Sequence, residues 1–141
     1  MIILDTNILS ELLRPAPATQ VETWLSAQDS ASTYFTTIGE AELRYGVAIL
    51  LAGKRRTALA RAIEGILEED FRGRILPFDR PAASAFAVIA AERRAAGRPI
   101  SQFDCQIAAI ARTHGACVAT RNTSDFEGCG IEVVNPWLNA T

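Results

Sequence analysis

The sequence predicts an α/β fold in which helices cover both faces of a central parallel sheet. Short apolar runs alternate with helix-length segments along the whole chain, which is the pattern of βα units. The first run, Ile2-Ile3-Leu4, is uniformly apolar rather than alternating, as suits a strand buried on both faces. It ends abruptly in Asp5, Thr6 and Asn7, and open α/β sheets gather their chemistry at the carboxyl ends of such strands.

Taken in order, Ile2 to Leu4 is the first strand, and a short helix from about Ile8 to Leu13 follows. Arg14-Pro15-Ala16-Pro17 breaks that helix. Thr19 then caps a second helix, with Glu22 completing a capping box. Tyr34 to Thr36 reads as a strand, and Thr37 caps a long helix that has Glu40 at its capping-box position and ends at Gly53. A charged helix continues through Glu68. Arg74 to Phe78 is the next strand, where Pro77 marks a sheet edge or a strand end. Arg80 to Ala96 forms an alanine-rich helix stopped by Gly97 and Pro99. Ser101 caps a helix reaching about His114, and Gly115 ends it. Ala116 to Ala119 and Ile131 to Val134 supply the last strands, before Asn135-Pro136-Trp137.

At 141 residues and 49% hydrophobic content, the expectation is one domain over residues 1–141 with a core that needs no staples. No apolar run approaches the ~20 residues of a membrane span, and Asp5 interrupts the first apolar stretch too early for a signal peptide. A cytoplasmic location is expected. Cys105, Cys117 and Cys129 show no paired spacing, and His114 is the single histidine, which favours reduced thiols over a Cys/His zinc site. The net charge of −2 gives no global basic field. Apart from Lys54, however, all of the 14 cations are arginines, the better partner for phosphate or carboxylate.

Position sorts the acids. Asp5 follows a strand, where it serves either as a helix cap or as a site residue. Glu42 has Ile38, Tyr45 and Ile49 at i−4, i+3 and i+7, an apolar setting in which an unpartnered carboxylate is expensive unless it snorkels. Glu40, by contrast, pairs with Arg44 at i+4. Asp104 opens its helix three residues after Ser101, where it serves either in a capping box and the helix dipole or as a site residue, and its face continues through Ile107, Ala108 and Ala111. Thr120-Arg121-Asn122-Thr123-Ser124-Asp125 again follows a strand, offering the Asn122 amide and the Asp125 carboxylate as oxygen donors or caps. Carboxylates gathered in this way repel one another, and a hard divalent cation would hold them together. Oxygen-only ligation selects Mg²⁺ or Mn²⁺ over zinc. A metal so held activates water and offsets charge on a phosphodiester.

Ile2-Ile3-Leu4-Asp5-Thr6-Asn7-Ile8, Thr37-Ile38-Gly39-Glu40-Ala41-Glu42-Leu43-Arg44-Tyr45-Gly46, Phe103-Asp104 and Thr120-Arg121-Asn122 together resemble the PIN-domain ribonucleases. Within that family the chain is most similar to VapC-type toxins of type II toxin-antitoxin systems, in the FitB-like branch. Gly73-Arg74-Ile75-Leu76-Pro77-Phe78-Asp79 and Asn135-Pro136-Trp137 extend the match to the whole chain. The resemblance implies a three-layer α/β/α PIN-like domain acting as an Mg²⁺-dependent endoribonuclease, with Mn²⁺ able to substitute. It also implies RNA as substrate, a cognate VapB-type antitoxin that blocks the activity, a homodimer, and contact with operator DNA only through the antitoxin.

By motif, the resemblance makes Asp5 and Asp104 the central metal ligands and Glu42 a further ligand or water-positioning group. Thr6 and Asn7 would orient Asp5, and Asn122 and Asp125 fill the fourth catalytic region. Some members carry an aspartate where Asn122 stands, and an amide cannot act as a base. Arg44, Arg112 and Arg121 are the candidates for contact with RNA or antitoxin. A rival reading keeps the fold but makes the chain a catalytically weak interaction protein of a toxin-antitoxin/DNA complex. A phosphatase with an aspartyl nucleophile fits poorly, because Asn7 rather than a second aspartate stands two residues after Asp5.

Overall fold

The computed structural model describes residues 1–138. The elements run β1 (Ile2–Leu4), α1 (Thr6–Leu12), α2 (Thr19–Ser26), β2 (Thr33–Thr36), α3 (Thr37–Ala48), α4 (Lys54–Gly65), β3 (Ile75–Leu76), α5 (Arg80–Ala95), α6 (Gln102–His114), β4 (Cys117–Ala119) and β5 (Val133–Val134). All strand pairs are parallel, in the order β3-β2-β1-β4-β5, with Ile2 beside both Thr33 and Cys117. Successive strand residues face opposite sides, so Ile3 and Leu4 enter different cores. Ile3 joins Ala82, Ile89, Ile107, Ile110, Val118 and Phe126 under α5 and α6. Leu4 joins Ile8, Val21, Phe35, Leu43, Val47 and Ile63 under the remaining helices. The result is the expected α/β/α layering about a parallel sheet. Among the described residues, no helix is long and apolar enough to cross a membrane.

Several boundaries differ from the sequence reading, for local reasons. Helix α1 starts two residues earlier, because the Asp5 carboxylate accepts from Thr6 N and so caps it. Thr19 is no cap: Ala18 occupies that position, and its N–H donates to Glu11 Oε2 at 2.9 Å. Thr36 rather than Thr37 caps α3, accepting from Gly39 N at 3.0 Å. Glu40 therefore falls past the capping-box position and pairs with Arg44 instead. Helix α3 stops at Ala48, and Gly53 begins α4 rather than ending α3. This break lets α4 pack back so that Val47 and Ile63 share a core. Strand β3 shrinks to two residues at the sheet edge, next to Pro77, which has no N–H to extend the ladder.

Gly39 sets how closely α3 approaches the sheet. A Cβ placed there would lie 2.4 Å from Phe35 Cζ, and Phe35 is fully buried. Only hydrogen fits between this helix and that ring. The same helix carries Glu42, so the close approach also fixes the height of that carboxylate above the strand ends. Alanine is the better helix former by about 1 kcal/mol, yet Gly39→Ala is expected to destabilise the protein by about 1–3 kcal/mol through overpacking. Urea unfolding measures this, and an unchanged or raised midpoint would contradict the packing account.

Candidate active site

Strands β1 and β4 are neighbours, but their onward connections leave in opposite directions, β1 towards β2 and β4 towards β5. Such a switch point opens a crevice beyond the carboxyl ends of the strands. Asp5 and Thr120 stand at its two lips. The ladder continues one step past β1, where Asp5 N–H donates to the Ala119 carbonyl at 2.9 Å.

The Asp5 carboxylate is 6% exposed and is held entirely by neutral donors. Thr6 N donates to Oδ1 at 2.7 Å, while Oδ2 receives the Thr120 hydroxyl at 2.8 Å and Asn7 Nδ2 at 3.2 Å. Asn7 Nδ2 also reaches Thr120 Oγ1 at 3.2 Å, and Asn122 N–H donates to the same oxygen at 3.0 Å. Burial nonetheless dominates and pushes the Asp5 pKa up to about 6, the Thr120 and Thr6 hydrogen bonds opposing it and the charges of Asp104 and Glu42 adding to it.

Glu42 is half-buried, and its Oε1 accepts from the Thr6 hydroxyl at 2.7 Å. Thr6 thus holds two acids at once, one through its backbone and one through its side chain. Burial raises the Glu42 pKa, Thr6 works against it, and the charge of Asp104 adds to the rise. Of the apolar neighbours that mark Glu42 in the sequence, only Ile38 is partly buried. Tyr45 and Ile49 are exposed, and the inward face of α3 runs through Gly39, Leu43 and Val47. Glu42 lies at the margin of that face, where α1 meets it.

Asp104 lies in the first turn of α6, capped as expected by Ser101 Oγ accepting from Asp104 N at 3.2 Å. A helix N-terminus favours an anion there. Burial again raises its pKa, with Ser101 opposing, the Asp125 charge adding to the rise and the Arg93 charge lowering it. The structure therefore brings Asp5, Glu42 and Asp104 within electrostatic reach of one another, and Asp125 within reach of Asp104. Asn122 is exposed at the start of the turn Thr123–Phe126 and makes no capping bond with its side chain. Of the three arginines, Arg44 is occupied by Glu40 and Glu64. Arg112 is in the last turn of α6, about 12 Å along the axis from Asp104, beside Glu92 and Gly130. Arg121 alone is beside the crevice, its guanidinium 5.1 Å from the centre of the Trp137 ring and its backbone N–H donating to Asn7 Oδ1 at 3.4 Å.

Two residues of the site escaped the sequence reading. Thr120 joins Asp5, Asn7 and Asn122, and its only sequence signal is a hydroxyl directly after a strand. Arg93 is a buried cation on the face of α5 that runs through Ala82, Phe86 and Ile89. Its helical spacing from those residues was the available signal.

The donor chemistry suits a hard divalent cation, since every convergent group is a carboxylate oxygen and His114 ends the far side of α6. Among the described residues, no three His, Cys, Asp or Glu side chains close into a cage.

A family model, the PIN domain, matches residues 2–128. The VapC ribonuclease Y4jK of Sinorhizobium fredii is 44% identical, covering 97% of this chain and 98% of its own length. Toxin FitB of Neisseria gonorrhoeae is also 44% identical, covering 97% of this chain and 99% of its own. A solved structure of FitAB bound to an IR36 DNA fragment superposes with a TM-score of 0.92 at 43% identity, over 97% of this chain and 96% of the neighbour.

The raised Asp5 pKa predicts the pH dependence of metal-free stability. The folded state holds this proton more tightly than the unfolded one, with a pKa of about 6 against 3.8. Stability therefore rises as pH falls through 6, and the gain is complete below 3.8. From pH 7 to pH 5 the expected gain is about 1 kcal/mol. Glu11, lowered from 4.5 chiefly by the Ala18 N–H, acts in the opposite sense but only below this window. Urea titrations in EDTA check the prediction: wild type should gain on acidification and Asp5→Ala should gain less. A wild-type midpoint that falls from pH 7 to 5 would refute it.

Proposed function

The chain belongs to the PIN-domain family, among the VapC and FitB toxins of toxin-antitoxin systems, and from that premise we propose that it is a divalent-metal-dependent endoribonuclease. One observation carries the proposal. Asp5, Glu42 and Asp104 are buried or half-buried and repel one another, yet among the described residues none of them is in an ion pair. Acids so placed raise the cost of folding unless a cation joins them.

Asp5 and Asp104 would hold that cation, Mg²⁺ with Mn²⁺ able to substitute, and Glu42 would complete the acidic side. The ion supplies neutralisation of the phosphodiester charge and activation of a water. The chain's own residues do the remainder. Thr6, Asn7 and Thr120 fix the Asp5 carboxylate, so it need not reorganise as charge develops. Thr6 anchors Oε1 of Glu42, leaving Oε2 to orient a water and take its proton. The raised proton affinity of Glu42 suits a general base better than an ordinary carboxylate would. Asn122 offers an amide that binds but cannot act as a base, and Asp125 stands beside Asp104 as the further acid. Arg121, at the lip, is placed to meet a phosphate of the RNA.

The same reading assigns a partner. A groove of about 620 Å³ runs from Thr6 and Glu42 between α1, α3 and α4, its apolar floor built from Leu43, Val47, Leu59 and Ile63 and its rim carrying Arg14 and Arg55. An antitoxin segment of VapB type, apolar along its length and cationic where it reaches Glu42, fits that lining and would block the acids. DNA contact would then belong to the antitoxin, as part of a homodimeric toxin complex acting in the cytoplasm.

The test compares wild type with Asp5→Ala, each free of antitoxin, on mixed RNA with Mg²⁺, Mn²⁺ or EDTA. Wild type should cleave only with metal, and Asp5→Ala should lose roughly hundredfold or more, since even groups behind a ligand are worth 10–100-fold. Cleavage that survives EDTA or the substitution would refute the nuclease assignment. Failure of the wild type both to cleave and to bind metal would favour the interaction-protein reading.

A further inference from the structure

Arg93 is 6% exposed, two residues from the end of α5, and among the described residues it makes no ion pair. A leucine there would continue the Ala82-Phe86-Ile89 face with no charge to desolvate. Burying a guanidinium is costly unless its donors are satisfied, and the identity of the acceptors is informative. Nε donates to the Arg98 carbonyl at 2.6 Å. Nη1 donates to the carbonyls of Asp125 and Glu127, both at 2.8 Å, and lies 3.7 Å from Cys129 Sγ.

These acceptors belong to two separate stretches of chain. Arg98 is in the link that leads into α6 and Asp104, while Asp125 and Glu127 are in the loop that follows β4. One rigid fork therefore fixes both stretches, and each presents an acid to the crevice. The loop's other anchors are the buried Phe126 and surface bonds from the Arg98 side chain to Ser124 O and Glu127 Oε2.

We propose that Arg93 is a positioning residue that sets the separation of Asp104 and Asp125 by clamping the backbone segments that carry them. The inference rests on the metal-nuclease reading of that site. Lysine keeps the charge and most of the stem, but its single ammonium cannot reproduce a fork whose Nε and Nη1 point to different segments. Charge alone therefore does not fulfil the role.

Calorimetry with Mn²⁺ alone, paired with steady-state RNA cleavage, tests this on wild type, Arg93→Lys, Asp125→Asn and the double variant. Arg93→Lys should weaken Mn²⁺ binding about tenfold and lower kcat, with KM for RNA little changed. In the Asp125→Asn background it should add less than in the wild type, because the placement of residue 125 no longer positions an acid there. Wild-type Mn²⁺ affinity in Arg93→Lys, or losses that multiply in the double variant, would overturn the proposal. Wild type that binds no Mn²⁺ at all overturns the metal-nuclease reading as well, so the two failures are distinguishable. Hydrogen exchange on the wild type needs no variant: the Asp125 and Glu127 amides, which donate to Asn122 O and Ser124 O inside the clamped turn, should be protected together with the Arg98 amide, which donates to Arg93 O. Fast exchange in the loop with Arg98 protected counts against the clamp.

Discussion

The architecture around the crevice depends on keeping a buried carboxylate charged at the end of β1. Placing such a group in an apolar strand end costs several kcal/mol unless donors surround it. Two of its donors, Thr6 N and Asn7 Nδ2, come with the start of α1. The third is the Thr120 hydroxyl, 115 residues away in sequence, and only the pairing of β4 with β1 delivers it. Sheet order and acid chemistry are thus one constraint. A different neighbour for β1 would leave Oδ2 without its shortest hydrogen bond.

The same constraint organises the helices. Helix α1 begins where it does because Asp5 caps it, and Thr6, its first residue, holds Glu42 from the next layer. Helix α3 reaches Thr6 only because Gly39 lets it settle on Phe35. On the opposite side, Ser101 places Asp104 at the positive end of α6. Each acid is held by the start of a helix or by a residue at such a start. This arrangement supplies N–H and hydroxyl donors without supplying a cation, so the electrostatic deficit in the crevice remains open for a ligand.

Much of this was legible in the chain because it is local. The βα alternation, the strand-end position of Asp5, the Ser101 cap and the αL glycine at position 115 each follow from a few adjacent residues. The apolar face behind Asp104 also reads correctly, since Ile107, Ala108 and Ala111 are all buried. Of the neighbours that mark Glu42, Tyr45 and Ile49 prove exposed. What holds its carboxylate is Thr6, a contact no helical periodicity encodes. Thr120 and Arg93 act through bonds to distant backbone and side chains, which composition and spacing do not reveal. The arginines show the complementary difficulty: a charge pattern marks them as surface cations, yet Arg44 is taken up by two glutamates and Arg112 lies at the wrong end of a 13-residue helix. The start of α3 slipped by one residue because the adjacent threonines Thr36 and Thr37 compete for the cap.

The pairing of β1 with β4 also governs when the acids come together during synthesis. Asp5 leaves the ribosome first, but its partner strand Cys117–Ala119 and Thr120 follow more than a hundred residues later. At about 5–20 residues per second this leaves a nascent chain for roughly 3–12 seconds with Asp5 and Glu42 made but Asp104, Thr120 and Asp125 absent. The slow, non-local contact that closes the sheet is the same contact that completes the crevice. The crevice is therefore assembled only as the sheet is finished, and a partly synthesised chain carries its acids apart.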